Sequence, residues 1–260
     1  RVHQGGKRTQ RLMSTSLKLI SLNIERSKHL DVVLPFLERE QPDVVCLQEV
    51  LQRDIPRIES VAGPCVVFQV DDEHPADAPE EGVLPEGNAI CTFHSAKSAK
   101  AIVYAGNLSA PPVVVIDEHG SPLNFGNRTL TVVDVEKDRQ LFRIATTHFT
   151  WTPIGHQADD TQRRDMKALM QALDPLGELV LAGDFNTARG SEIFDAIAQK
   201  YKDNIPPECT TTIDKQFHRA GDLQYVVDGL FSTPGYVVSD VRLVGGVSDH
   251  MAVVATVSKS

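Results

Sequence analysis

The residues Asn23, Glu49, His148, Asp184, Asn186, Asp228, Asp249 and His250 all fall within or at the ends of apolar, strand-like runs. An unpaired polar group in such a place costs free energy. One asparagine or aspartate there is an ordinary turn or cap residue. A whole set of carboxylates, amides and imidazoles points instead to one shared polar site. Carboxylates and imidazoles do acid–base work and orient water, and oxygen donors suit hard divalent cations. No nucleophilic serine or cysteine is indicated beside them, so direct attack by water is the expected chemistry.

Such a set needs elements that carry it to one place. Residues 17–23 and 43–48 read as apolar strands. Between them Leu30, Val33, Leu34 and Leu37 follow helical spacing, and Pro35 predicts a kink or a later start. Residues 141–148 and 178–185 read as a second strand pair. The helix between them, 160–173, puts Met166, Leu169, Met170 and Leu173 on one face. The first unit ends its strands in Asn23 and Glu49, the second in His148 and Asp184. Ligands of α/β sheets bind beyond the carboxyl ends of strands, so two facing units would gather these four side chains.

The stretch between the units holds consecutive strand patterns at 65–70, 88–93, 101–104, 112–116 and 128–135, which predicts antiparallel pairing. A helix follows at 191–201 with Ser191 as N-cap, then strands at 224–231, 236–243 and 251–257. Residues 71–87 hold seven acids, three prolines and no lysine or arginine, and read as a solvated surface loop. Residues 203–222 read as a second loop. The fold class expected is α/β: a four-layer sandwich of two mixed sheets packed face to face with helices outside.

Composition bounds the function. With 260 residues, 41% hydrophobic and 23% charged, the chain is an ordinary globular length and not a disordered one. Residues 1–12 carry Arg1, Lys7, Arg8 and Arg11 and no apolar stretch. They read as a disordered leader or tag before Met13, with 13–260 as a single domain. No apolar run approaches the roughly 20 residues of a spanning helix, so no integral membrane association is expected. A net charge of −9 excludes a protein that coats nucleic acid non-specifically, while leaving room for a local basic groove. Cys46, Cys65, Cys91 and Cys209 lie far apart without a CxxC pair, and read as reduced, buried thiols of a cytoplasmic protein. A monomer is expected.

The ordered motifs Ser21-Leu-Asn23, Leu47-Gln-Glu49, Thr147-His148-Phe149, Gly183-Asp-Phe-Asn186, Val227-Asp228 and Ser248-Asp-His250 resemble those of the endonuclease/exonuclease/phosphatase superfamily. The resemblance spans roughly residues 17–257 and implies a DNase-I-like fold. It also implies a metal-dependent phosphoester hydrolase. By resemblance, Glu49 ligates a catalytic Mg²⁺ or Mn²⁺ ion, with Asn23 beside it and Asp249 helping to hold it. Asp184 positions or deprotonates the attacking water, and Asn186 binds phosphate. His250 contacts the scissile phosphate, Asp228 orients its ring, and His148 is a second catalytic histidine. Glu25 stands where many nucleases of the family carry aspartate, and is either a second acid at the metal site or a surface residue.

The substrate is less determined, because one superfamily hosts several substrate classes. A nucleic-acid phosphodiesterase is the favoured expectation. Trp151, Arg163, Arg164 and Arg189 are candidates for the substrate rim, with Lys202, Lys215, Phe217, His218 and Arg219 as further basic or aromatic loop residues. A lipid, inositol phosphate or other small phosphoester is the alternative, although no exposed hydrophobic hairpin or long basic pocket is evident. A non-catalytic scaffold is disfavoured, since no member of the constellation is missing.

Overall fold

The computed structural model describes residues 15–76, 79–106, 110–118, 122–124, 126–152 and 157–260. The expected leader at 1–12 lies outside them. The elements run β1 (Ser16–Asn23), α1 (Leu30–Glu40), β2 (Val44–Leu51), α2 (Ile55–Ala62), β3 (Cys65–Pro75), β4 (Val83–Thr92), β5 (Ser95–Ala105), β6 (Arg128–Lys137), β7 (Gln140–His148), α3 (Asp160–Leu173), β8 (Val180–Asp184), α4 (Glu192–Ala198), β9 (Lys202–Asp203), β10 (Asp228–Ser232), β11 (Tyr236–Val244) and β12 (Ala252–Lys259). They build two six-stranded sheets, in the orders β11-β12-β1-β2-β4-β3 and β5-β6-β7-β8-β10-β9. Both sheets are mixed: β1 with β2 and β7 with β8 pair parallel, as the two strand–helix–strand units require, and the neighbouring pairs are antiparallel.

Strand alternation explains the layers. Leu17 and Leu19 of β1 face the space between the sheets, where they meet Val133, Phe142, Ile144 and Val180 of the second sheet. Ile20 and Leu22 point the other way, onto Val33, Phe36 and Leu37 of α1 and Ile58 of α2. On the far side, Met166 and Leu169 of α3 and Phe194 and Ile197 of α4 cover Leu130, Ala145 and Leu181. Helix, sheet, sheet and helix therefore stack in four layers. Central strands covered on both faces are apolar on both faces, which is why they are legible as continuous runs.

Several expectations need correcting. α1 begins at Leu30 and runs through Pro35, so no later start occurs. Residues 112–116 form no strand of a sheet; they make only isolated bridges, Glu73 with Val113 and Ile116 with Pro122. The acidic stretch 71–87 is not simply a solvated loop. It lengthens β3 and β4 into one antiparallel arm, and buries Asp71, Asp72 and Glu86 at 4%, 7% and 6% exposure. Helix α2 is only two turns long, too short to stand out in the sequence, although Ile55, Ile58 and Ala62 carry its helical spacing. Cys65 and Cys91 are not reduced thiols but a disulfide. They are direct register partners across β3 and β4, a neighbourhood that their separation of 26 residues hides. Cys46 is buried and Cys209 half-buried, both free. The cysteine pattern thus carries no argument for a reducing compartment. Among the described residues no helix is long and apolar enough to cross a membrane.

Candidate active site at the seam of the two sheets

The second sheet supplies a row of three polar residues. His148 of β7 is the register partner of Asp184 of β8, which in turn is the partner of Asp228 of β10. Register partners present their side chains to the same face, so the row is a direct product of strand pairing. β8 can reach this register because residue 183 is glycine: its φ is +141°, and a Cβ there would meet the Thr147 carbonyl oxygen at 2.0 Å.

The first sheet supplies Asn23 and Glu49. β1 ends at Asn23, whose Oδ1 accepts the Glu25 backbone N–H at 3.1 Å and so closes the turn out of the strand. Glu49 sits at a break in the β2–β4 register between Leu47 and Val50, with φ of +55°. A bulge of this kind re-aims a side chain. Gln48 keeps the inward direction and donates to Thr146 Oγ1 across the seam at 2.9 Å. Asn186 adopts a left-handed backbone as well, with φ of +50°; its N–H donates to Asp184 Oδ1 at 2.8 Å and its side-chain amide to the Phe149 carbonyl at 3.0 Å.

These pieces meet around a cleft of about 260 Å³. Asn23 Nδ2 bridges the two sheets, donating to Glu49 Oε1 at 3.0 Å and to Asp184 Oδ2 at 3.1 Å. His148 Nε2 and His250 Nε2 each lie 3.6 Å from Asp184 Oδ2. His250 Nδ1 lies 2.8 Å from Asp228 Oδ2, which leaves Nε2 to face the cleft. Glu49, His148, Asp184, Asn186, Asp249 and His250 line the cleft, together with Glu25 and Trp151; Asn23 and Asp228 lie directly beneath. The sequence-derived set is therefore assembled in one place.

The electrostatics separate the two imidazoles. Burial lowers the His148 pKa, against the pull of Asp184 and Glu49. Burial also opposes charge on His250, but Asp228 and Asp184 outweigh it and hold its pKa well above the ordinary value. Titratable partners pushed apart in this way are a mark of acid–base sites. Burial and the nearby Asp228 raise Asp184. Glu49 is held down at about 2, because Arg26, His148 and the Asn23 hydrogen bond overcome its burial.

The acids fit a divalent cation. Burial, with Glu49 and Glu25 nearby, pushes Asp249 up to about 6, and among the described residues its carboxylate accepts a side-chain hydrogen bond only from Ser248 Oγ, at 3.1 Å. Crowded carboxylates with so few donors accept a cation readily. Glu25, His29 and Asp249 bring ligand atoms within 4.8 Å of one another, so Glu25 stands at the site and not on the open surface. An oxygen-dominated set suits Mg²⁺ or Mn²⁺. Asp184, Asp228 and His250 form a second such group.

The expected rim is only partly there. Trp151 lines the cleft, as do His218 and Arg219. Arg163, Arg164 and Arg189 do not, because each is engaged elsewhere. Arg163 pairs with Glu192, Arg164 with Asp165, and Arg189 with Asp203 and the Ile205 carbonyl. Sequence reasoning missed Arg26, which pairs with Glu49 at 2.9 Å, and the wall formed by Asp71, Asp72, Glu86 and Arg128. Arg26 follows Glu25 directly, so its position was a signal. The wall residues gave none, since they reach the cleft only through the length of the β3–β4 arm.

A model of the endonuclease/exonuclease/phosphatase family matches residues 20–250. The chain belongs to this family. It is accordingly a phosphoester hydrolase. No curated protein matches it in sequence. Solved structures share its fold at low identity. The catalytic domain of human Nocturnin is 16% identical with a TM-score of 0.67, covering 94% of this chain and 94% of that one. A mannosyl-6-phosphatase of Bacteroides thetaiotaomicron is 12% identical with a TM-score of 0.65, covering 93% and 99%. TDP2 of D. rerio, complexed with a single-strand DNA product, is 17% identical with a TM-score of 0.62, covering 94% and 100%.

Proposed function

We propose that this chain is a divalent-metal-dependent phosphodiesterase that cleaves nucleic acid by direct attack of water. The observation that carries the reading is the row of His148, Asp184 and Asp228 facing Glu49 and Asn23, with His250 held on Asp228. When bound by Glu49, with Asn23 and Asp249 beside it, Mg²⁺ or Mn²⁺ supplies positive charge that neutralises the phosphate and stabilises the leaving oxygen. Asp184 orients the water and accepts its proton. His250, fixed in direction by Asp228, donates from Nε2 to a non-bridging oxygen as charge gathers there, and His148 and Asn186 complete the donor set. No covalent intermediate is formed, so configuration inverts at phosphorus.

Trp151, His218 and Arg219 give the cleft an aromatic and basic lip of the kind that grips a strand. A nucleic-acid substrate is also in keeping with the single-strand DNA product bound to the TDP2 neighbour. All these groups come from one copy of the chain, which supports a monomeric working unit with 13–260 as a single domain. A small phosphoester is the second reading. It is favoured by the engagement of three expected rim arginines elsewhere, which leaves less positive charge to hold a long polyanion. A substrate panel with Mg²⁺ and Mn²⁺ decides between them: single- and double-stranded DNA, abasic duplex, 5′-tyrosyl oligonucleotide, inositol phosphates, sphingomyelin and sugar phosphates. Turnover of a sugar phosphate or inositol phosphate at least as efficient as of any oligonucleotide would overturn the nucleic-acid assignment.

A further inference from the structure

Arg128 opens β6 and lines the cleft, yet is only 7% exposed. Its guanidinium makes no hydrogen bond or ion pair with any described residue, and its Nε is enclosed without a partner. The other enclosed or half-enclosed arginines differ: Arg26 is paired with Glu49, Arg143 with Asp134 and Arg189 with Asp203. An enclosed guanidinium retains its charge and its full set of donors, and without an anion it is a costly arrangement. The fold brings no carboxylate of a described residue to hydrogen-bond or ion-pair distance of it. Asp71 is occupied on both oxygens, by Thr129 Oγ1 at 2.6 Å and Asn88 Nδ2 at 2.6 Å. Asp72 lies beyond ion-pair distance, and its own Oδ1 is enclosed and unpaired. A polar hollow with an unspent cation therefore opens onto the cleft.

Its location separates it from the reacting centre. Arg128 acts electrostatically on Asp71, Asp72, Tyr104 and His148. In the second sheet β6 lies on the far side of β7 from β8 and β10, so Arg128 at the start of β6 stands beyond His148, away from Asp184, Asp228 and the His250 held on it. We propose that Arg128 forms an anion subsite that takes a phosphate group of the substrate other than the one cleaved. A planar fork of N–H donors matches phosphate oxygens and can bind them bidentately. The substrate is then one with a second phosphate beside the scissile ester, as in a strand with a terminal phosphate, a dinucleotide step or a bisphosphorylated small molecule. This inference rests on the phosphoesterase reading for the word substrate, but binding of an anion at Arg128 does not depend on turnover.

The test uses the whole chain and the variant Arg128→Met, which removes charge and donors while keeping an apolar stem. With inorganic phosphate as the probe and no added metal, phosphate should raise the melting temperature of the wild type and not of the variant. In phosphate-free buffer the variant should melt close to the wild type, since no internal hydrogen bond or ion pair is lost and only the longer-range attraction of Asp71 and Asp72 goes. Equal protection by phosphate in both proteins, or a variant that melts several degrees lower without phosphate, would overturn the subsite. A kinetic arm fixes which phosphate is held. For a matched pair of oligonucleotides with and without a terminal phosphate, the wild-type preference in kcat/KM for the phosphorylated one should fall about 10-fold or more in Arg128→Met. If both substrates lose the same factor, Arg128 grips the reacting phosphate and the proposal fails. If no substrate is turned over at all, the catalytic reading fails while the phosphate-binding result stands on its own.

Discussion

His250 and Glu49 bear the two separable tasks of the site. His250→Ala should lower kcat by about 10²–10³, the range for loss of one preorganised donor to transition-state charge. Asp228→Asn should lose less, because the ring remains but its direction is no longer fixed by the 2.8 Å contact. KM should change little in either variant if the contact strengthens only in the transition state. Steady-state kinetics at saturating Mg²⁺ check this, and a His250→Ala enzyme that kept more than about a tenth of wild-type kcat would shift the role to His148. Glu49→Gln should abolish Mn²⁺ binding in calorimetry while leaving the circular dichroism spectrum intact, because it removes the carboxylate charge with little change of shape. Undiminished Mn²⁺ affinity would move the metal to the neighbouring group of Glu25, His29 and Asp249.

Elements matter here chiefly through their ends. β8 must approach β7 closely enough for Asp184 to stand in register with His148, and Gly183 makes that approach. Gly183→Ala would put a methyl group where the Thr147 carbonyl already stands, at a φ that L side chains rarely adopt. The expected result is a loss of about 1–3 kcal/mol of stability in urea titration, with a larger fractional loss of activity than of fold as the row is forced out of register. A variant with unchanged midpoint would show that the strands separate without cost. At the start of α4, the Ser191 hydroxyl accepts from the Phe194 backbone N–H, so Ser191→Ala should cost about 1 kcal/mol and leave kcat unchanged. Short elements without strong periodicity escaped the sequence. α2 has one buried turn, and the β3–β4 arm is acidic and proline-bearing, which reads as loop until its partner strand is known.

At the scale of the whole molecule, the two sheets are tied by polar bridges as well as by the core. Asn23 reaches Asp184, Gln48 reaches Thr146, and Asp71 of β3 accepts from Thr129 of β6. Burial pushes Asp71 up to about 8 from an ordinary value of 3.8. The sign follows from linkage. At low pH both folded and unfolded chains hold the proton, and the group costs nothing. As pH rises from about 4 to about 8 the unfolded chain releases it while the folded one retains it, so stability falls through that window and levels off above it. Asp71→Asn cannot ionise, and its stability relative to the wild type should therefore rise between pH 5 and pH 8. Urea midpoints at the two pH values check it; parallel shifts in both proteins would mean that Asp71 is ionised in the fold.

What the sequence determined by itself was local in cause. Apolar runs covered on both faces announced the central strands, polar residues at their ends announced a site, and motif order announced the family. Asn23, Glu49, His148, Asp184, Asn186, Asp228, Asp249 and His250 are all nameable from the chain alone, since each is marked by its own neighbours in sequence. What only the tertiary structure decided depends on partners far away in sequence. Cys65 meets Cys91 because β3 and β4 pair; Arg163, Arg164 and Arg189 leave the rim because acids elsewhere engage them; Asp71, Asp72 and Arg128 become a cleft wall because an acidic arm folds back over the second sheet. A charged side chain carries no label for the ion it will meet. Its partner is chosen by packing across the seam, and so the substrate-facing half of the site is written in contacts, not in motifs.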